Sequence, residues 1–354
     1  MKLYQVALET TKENTAGSKA VSDISEIACG AGFEKKKIII LDGYSLRCKF
    51  KRQLKLARSW ENIYDSIDVN SVLLLQHPFG MRHMNRSRIL RKLKKEKKIH
   101  IISVVHDVEA LRKIFDNDYF KREFSLMIEL ADVLIVHNKR MAEYFSKIGI
   151  PLNKIVILDI FDYLQQGKLR HSPSFAKQIN IAGNLDVKKS PYIGELGKLK
   201  NVESKLYGPN FDYKINNTNV KYEGCFSPHE IPQKLVSGFG LVWDGTSIES
   251  CLGPTGEYLK YNNPHKLSLY LSCGLPVVIW SEAAEAEFVL KHHAGIAVRS
   301  LYELNDIFNC MTEADYNELT RGARMVADKL RTGQYTQNAL NMAVNIIETR
   351  EGEL

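Results

Sequence analysis

Short apolar runs rich in β-branched residues alternate with segments of helical periodicity, and the alternation occurs twice along the chain. That pattern restricts the fold to parallel α/β architecture, because strands covered by helices on both faces are apolar throughout. In the first half the runs fall at Leu3–Leu8, Lys37–Leu41, Ser71–Gln76, His100–Val105 and Val133–Val136. Helix-like segments lie at Ser18–Ala31, Gln53–Tyr64, Ser87–Lys97, Phe120–Leu130 and Lys139–Ile148, the last stopped by Gly149 and Pro151. Between Phe161 and Phe175 the composition turns polar and irregular, which marks the linker. A second set of strands is expected at Gln178–Ala182, Ser204–Tyr207, Val220–Glu223, Phe239–Trp243, Pro276–Trp280 and Gly295–Val298. Its helices are expected at Ser190–Leu199, Pro228–Ser237, His265–Cys273 and Ala283–His292, followed by Thr312–Lys329 and Tyr335–Glu348. The expectation is therefore two facing Rossmann-like domains, 1–163 and 164–330, with a last helix over 331–354 packing back toward the first.

At 354 residues the chain exceeds what one core usually organises. No apolar run is long enough to span a bilayer, and the N-terminus reads as a first strand rather than a secretion signal. The six cysteines (29, 48, 225, 251, 273 and 310) show no C-x-x-C spacing. They read as free thiols in a reducing cytoplasm, and no metal site is expected.

The net charge of +8 is unevenly spread: Arg82–Lys98 holds nine Arg or Lys and one Glu. One reading is a solvated helix with Ile89, Leu90 and Leu93 as its buried stripe. The other is adhesion to an anionic membrane surface through Arg86, Arg91, Lys94, Lys95 and Lys98. Nucleic acid fits poorly, since no aromatics are interleaved with the charges.

The stretch Gly238–Trp280 carries the strongest functional signal. It reads as a buried strand, a polar loop, a helix, a Gly-Leu-Pro turn and a second buried strand. In such a β-α-β unit ligands gather at the strand's carboxyl end, and a helix N-terminus favours phosphate. Lys266 stands where its ammonium reaches the same anion, so the segment reads as half of a nucleotide-sugar site.

Several motifs together resemble the bacterial GT-B glycosyltransferases. They are His106-Asp107-Val108-Glu109, Ala182-Gly183-Asn184, Leu206-Tyr207-Gly208, Gly240-Leu241-Val242-Trp243, Asn263-Pro264-His265-Lys266 and Cys273-Gly274-Leu275-Pro276. Within that fold the chain is most similar to the β-1,6-galactofuranosyltransferases and to the glucosyltransferases that extend adhesin glycans. The resemblance implies a UDP-sugar donor, no cofactor, no metal, and Lys266 with a helix N-terminus meeting the leaving diphosphate. It implies further donor contacts from Gly183, Asn184, Lys188, Tyr207, Gly208, Trp243, Asp244, Asn263 and His265, with Thr15 and Gly17 at the helix start after the first strand. Asp107 is the expected base for the acceptor hydroxyl, with His106 as its partner or rival. For several of these a plain structural role stands beside the functional one: Asp107 as a helix cap, Tyr207 as core, Lys266 as a surface lysine.

Two departures bear on mechanism. Retaining relatives place a Glu five residues before the Gly of the Gly-Leu-Pro turn, where this chain has Leu269. Glu249 and Glu257 have the Glu-x7-Glu spacing but lie too early, which favours inversion; Asp244 and Glu249 remain candidates to line the donor pocket. The expected partners are a glycan acceptor, lipid-linked acceptors included, and an anionic membrane surface on the cytoplasmic side, with a homo-oligomer left open. The rivals are a non-catalytic nucleotide-sugar-binding partner of another transferase and a dinucleotide enzyme. The latter is disfavoured because no G-x-G-x-x-G follows the first strand.

Overall fold

The computed structural model describes residues 1–10, 16–113, 117–167, 169, 172–212 and 217–352. The first sheet comprises β1 (Leu3–Thr10), β2 (Glu34–Ile40), β3 (Val72–His77), β4 (His100–Val105), β5 (Val133–Val136) and β6 (Ile155–Ile157), in the order β2-β1-β3-β4-β5-β6. The second comprises β7 (Ser174–Ala182), β8 (Glu203–Tyr207), β9 (Val220–Gly224), β10 (Ser237–Val242), β11 (Val277–Trp280) and β12 (Gly295–Val298), in the order β12-β11-β10-β7-β8-β9. All the pairings are parallel. β3 and β5 are buried at every position, as strands covered on both faces must be.

The helices of the first half are α1 (Ala16–Gly30), α2 (Leu46–Ser66), α3 (Arg86–Lys97), α4 (Glu109–Arg112), α5 (Asp118–Leu130) and α6 (Lys139–Lys147). Those of the second are α7 (Gly253–Tyr258), α8 (His265–Ser272), α9 (Ala286–Lys291), α10 (Leu304–Cys310), α11 (Glu313–Thr332) and α12 (Gln334–Gly352). The sequence reading placed every strand of both sheets except the short β6. It erred at Pro228–Ser237, where only the 3₁₀ turn Ile231–Gln233 forms, because Pro232 donates no backbone bond. Ser190–Leu199 is likewise a 3₁₀ helix, Pro191–Lys198. The expected helix at Gln53 instead begins at Leu46, where Ser45 Oγ accepts from Cys48 N.

The chain passes between the halves twice, at 158–173 and again at Gly333 (φ 81°), the left-handed C-cap of α11. Beyond Gly333, Ala339, Leu340, Ala343 and Ile347 of α12 pack against Val133, Ile135 and Val156 of the first half. The two crossings are tied together. Asp162 accepts from Thr336 N (2.6 Å) and Tyr335 N (3.3 Å) at the start of α12. Nearby, the buried pair Lys19–Asp23 of α1 grips Leu164 through its N–H and its carbonyl, each at 3.0 Å.

Burial pushes the Asp162 carboxyl up to about 7 against the lowering effect of those two N–H donors. An acid raised in the folded state keeps a proton that the unfolded chain releases, so stability falls as pH rises from about 4 to about 7. Asp162→Asn removes that dependence while keeping an acceptor for the helix start. The stability of wild type relative to Asp162→Asn should therefore decline by up to about 1.4 kcal/mol per pH unit across that window. Urea titrations at several pH values measure it; a pH-independent difference would show that Asp162 is not so perturbed.

Candidate active site

Strand order reverses between β1 and β3 in one sheet and between β7 and β10 in the other. Crevices at such switch points, outside the carboxyl ends of the strands, are where α/β sheets bind ligands. The carboxyl ends of the two sheets face each other: Val108, after β4, donates to the Tyr258 hydroxyl (3.0 Å), and Asn138, after β5, donates to Asn263 Oδ1 (2.8 Å).

On the first-half wall, Asp107 follows β4. It does not cap α4, whose N-cap is Val108 with no side-chain bond. Its carboxylate instead takes Arg112 Nη1 at 2.8 Å, and the Tyr258 hydroxyl of the opposite half lies close by, held on the N–H of Val108. Its side chain is 33% exposed, so it remains open to the cleft. Burial raises its proton affinity, and Arg112 opposes the rise. His106 does not orient Asp107. Its Nε2 donates to Gln76 Oε1 (2.7 Å) and its ring stacks on Phe161 at 5.5 Å. Burial pushes it down to about 4, so it is neutral at physiological pH. Arg112 and Tyr258, which the sequence reading missed, take the place assigned to it.

On the second-half wall, Lys266 Nζ donates to Trp243 O (2.8 Å) and to Asp244 Oδ2 (3.0 Å). This pairing holds the ammonium at the carboxyl end of β10. Lys189 joins it. The surrounding protein lowers its proton affinity, with Lys266 and Arg112 adding repulsion that Asp244 and Asp107 offset. Lys189, Lys266 and Arg112 thus share one cleft with the carboxylates of Asp107, Asp244 and Glu109, which pair with two of them. The neighbouring Lys188, the sequence candidate, is exposed and interacts with Asp186 only through its backbone N–H (2.8 Å).

Gly183 and Gly208 earn their places differently. At Gly208 (φ 151°) a Cβ would lie 1.8 Å from Gly183 O, so only glycine fits. At Gly183 (φ 146°) a Cβ would meet nothing within 4 Å among the described residues, leaving that face of the backbone open. Asn184 Oδ1 accepts from Asp186 N (3.1 Å) and Asn210 Nδ2 (2.9 Å), shaping the loop beside that opening. Other candidates are engaged within the protein. Trp243 is fully buried with Nε1 on Ser247 O (2.9 Å), and it reaches the site through its carbonyl. Tyr207 is 5% exposed beside Phe226, too enclosed to present a face to a base. Asn263 donates to His137 O and Asp159 O, both at 2.9 Å, and so joins the halves. His265 opens α8 between Phe161 and Tyr163, pushed down to about 3 by burial. Gly17 lies in the first turn of α1, and Thr15 is outside the described residues. Leu269, where retaining relatives carry a carboxylate, is buried in α8.

A cavity of about 710 Å³ opens beside Asp107, lined among others by Glu109, Lys113, Phe120, Phe124 and Met127.

The matches to known proteins fall on both halves. The glucosyltransferase 3-like N-terminal domain model matches residues 4–160, and the corresponding C-terminal domain model matches 179–343. β-1,6-Galactofuranosyltransferase WbbI of Escherichia coli (strain K12) is 37% identical over 258 residues, 72% of this chain and 74% of its own. The chain belongs to the glucosyltransferase 3-like family of glycosyltransferases. Glucosyltransferase 3 of Streptococcus gordonii is 27% identical over 92% of this chain and 93% of its own. The fold is GT-B: Anabaena HepE, solved in complex with UDP-glucose, superposes with a TM-score of 0.56 over 99% of this chain and 100% of its own at 13% identity.

The basic run of this glycosyltransferase is largely spoken for. Arg86 is buried and paired with Glu123. Arg91 forks onto Glu129 (2.6 and 2.7 Å), and Lys94 binds Asp132 (2.6 Å) and Leu130 O (2.9 Å). Of the five residues put forward as a membrane patch, only Lys95 and Lys98 stay exposed without an ion pair to a described residue. Among the described residues no helix is long and apolar enough to cross a membrane.

The two glycines give a paired test. Gly208→Ala forces backbone apart and should destabilise the fold by about 2–3 kcal/mol or more, lowering the thermal midpoint. Gly183→Ala meets no atom and should cost only about 1–2 kcal/mol of φ strain. Thermal unfolding of both proteins checks the order; equal midpoints would contradict the packing at Gly208.

Proposed function

We propose that this glycosyltransferase moves a hexose, galactofuranose ahead of glucose, from a UDP-sugar to a hydroxyl of a glycan acceptor, with inversion and without a metal. The observation that carries the reading is Asp107 at the end of β4 on one wall and Lys266 at the start of α8 on the other, with the walls joined by the Val108 N–H to Tyr258 hydroxyl bond. A base and a cationic receptor for a leaving diphosphate are what such a displacement needs. Asp107 takes the proton of the acceptor hydroxyl as its oxygen bonds to the anomeric carbon. The bond to the diphosphate breaks, and UDP departs with the electron pair toward Lys266, Lys189 and the N-terminus of α8. The galactofuranosyl donor is favoured by the identity to WbbI. UDP is favoured by the UDP-glucose complex of HepE.

The cavity beside Asp107 suits the acceptor. Its volume of about 710 Å³ lies within the usual range for ligand sites, and Phe120 and Phe124 offer faces on which sugar rings stack. A lipid-linked acceptor at the cytoplasmic face of the membrane belongs to the same proposal. A non-catalytic nucleotide-sugar-binding partner is the rival, and UDP binding without any turnover would favour it.

UDP in EDTA should stabilise the fold by about 2.7 kcal/mol at a hundredfold excess over Kd. Lys266→Ala should weaken UDP far more than uridine, which lacks the charge that Lys266 meets. A thermal shift appearing only with Mn²⁺ would overturn the metal-free reading. Asp107→Asn should lower transfer about 10²–10⁴-fold while UDP affinity stays within a few-fold. Undiminished turnover in that variant would remove Asp107 from the mechanism.

A further inference from the structure

The N-terminal half of α2 presents an apolar row to solvent. Leu46 is 83% exposed, Phe50 67% and Leu54 38%, with Tyr44 87% exposed just before the helix. Their spacing of i, i+4 and i+8 places them in one line along the helix. The helix enters the core only farther along, through Leu56, Ala57, Trp60 and Ile63, so its first turns project beyond the packed part. Each residue of the row is followed by a cation: Leu46-Arg47, Phe50-Lys51 and Leu54-Lys55. A parallel basic row therefore runs beside the apolar one, extended by Arg58, with Lys49 near the helix start. No Asp or Glu occurs between residues 43 and 60. Arg47, Lys49, Lys51, Lys55 and Arg58 form no ion pair with a described residue, unlike most of the cations of α3.

We infer that α2 docks this enzyme onto an anionic lipid bilayer, with Leu46, Phe50 and Leu54 entering the interface and the adjacent cations meeting headgroup phosphates. Exposed apolar residues in line cost solubility unless something covers them, and the basic row selects a negatively charged cover. An amphipathic helix with this composition lies in the plane of such a surface. The placement is consistent with the chemistry proposed above, on which this inference partly rests. β2 and β4 run parallel in one sheet, so the start of α2, after β2, and Asp107, after β4, lie at the same sheet edge. Three strand spacings of about 5 Å separate them, so roughly 15 Å lies between the docked helix and the site. An acceptor anchored in the bilayer spans that distance with a few sugar rings.

Co-sedimentation of the full chain with vesicles of phosphatidylcholine alone, or with phosphatidylglycerol added, tests the inference. Binding should require the anionic lipid and fade at high salt. Leu46→Ser with Phe50→Ser should reduce partitioning about tenfold or more, by removing two inserting side chains. Lys51→Glu should reduce it about fivefold or more, while Lys95→Glu with Lys98→Glu on α3 should leave it nearly unchanged. Circular dichroism and the UDP-induced thermal shift report whether each variant keeps its fold and donor site. Transfer to a water-soluble acceptor should survive the α2 changes, which separates failure of this inference from failure of the transferase reading. Wild type that ignores anionic vesicles overturns the inference. So does binding that the α2 variants do not reduce, or a Phe50→Ser protein that merely changes from oligomer to monomer.

Discussion

The geometry of the cleft depends on a buried knot of polar groups centred on Asn263. Its amide donates to His137 O and Asp159 O, its oxygen accepts from Asn138, and its own backbone N–H donates to His137 Nδ1 at 2.9 Å. Asn138 also reaches the buried Glu285, and His137 Nε2 donates to Val105 O at 2.9 Å. His137 must be neutral for this to hold, since one ring nitrogen donates and the other accepts. Burial enforces that state by pushing it down to about 3. A buried polar group left without a partner costs about 1–3 kcal/mol, so the bonds specify one alignment of the halves. Apolar packing alone tolerates sliding.

That alignment decides what the chemistry-bearing residues can do. With the halves fixed, the Tyr258 hydroxyl of the second half takes Val108 N–H of the first, which sets it beside Asp107. Lys189 of the second half then lies within electrostatic reach of Arg112 and Asp107 of the first. Neither wall is complete alone. Asp107 keeps Arg112 from its own half but meets Tyr258 and Lys189 only across the cleft, as Lys189 meets Asp107.

The sheets were legible because a strand buried on both faces has no polar positions to confuse the reading, as β3 and β5 illustrate. The places of Lys266, Gly208 and Asp107 were legible because each stands at a strand end or helix start that the alternation of strands and helices marks. Lys189 was not, because it adjoins an identical residue, both are exposed in the turn Asp186–Ser190, and nothing in the sequence tells which of the two lies nearer the opposite half. Tyr258 hid in Gly-Pro-Thr-Gly-Glu-Tyr, a segment whose glycines and proline argue against the helix it forms. Asn263 was read as a ligand contact because a polar loop residue looks the same in sequence whether its partner is a nucleotide or the other half of the protein.

The same ambiguity governs the charges. A run of lysines and arginines reports how many cations are present, not how many are free. In α3 the partners come from α5 and its flank, at Glu123, Glu129 and Asp132, more than thirty residues away in sequence. In α2 the reverse holds. Periodicity would assign Leu46, Phe50 and Leu54 to a buried stripe, yet the first turns of α2 carry them into solvent while Leu56 and Trp60 fill the core. Surface chemistry is therefore the layer that a one-dimensional reading resolves least. A cation is silenced, or an apolar side chain left bare, by whatever the fold brings against it from distant parts of the chain.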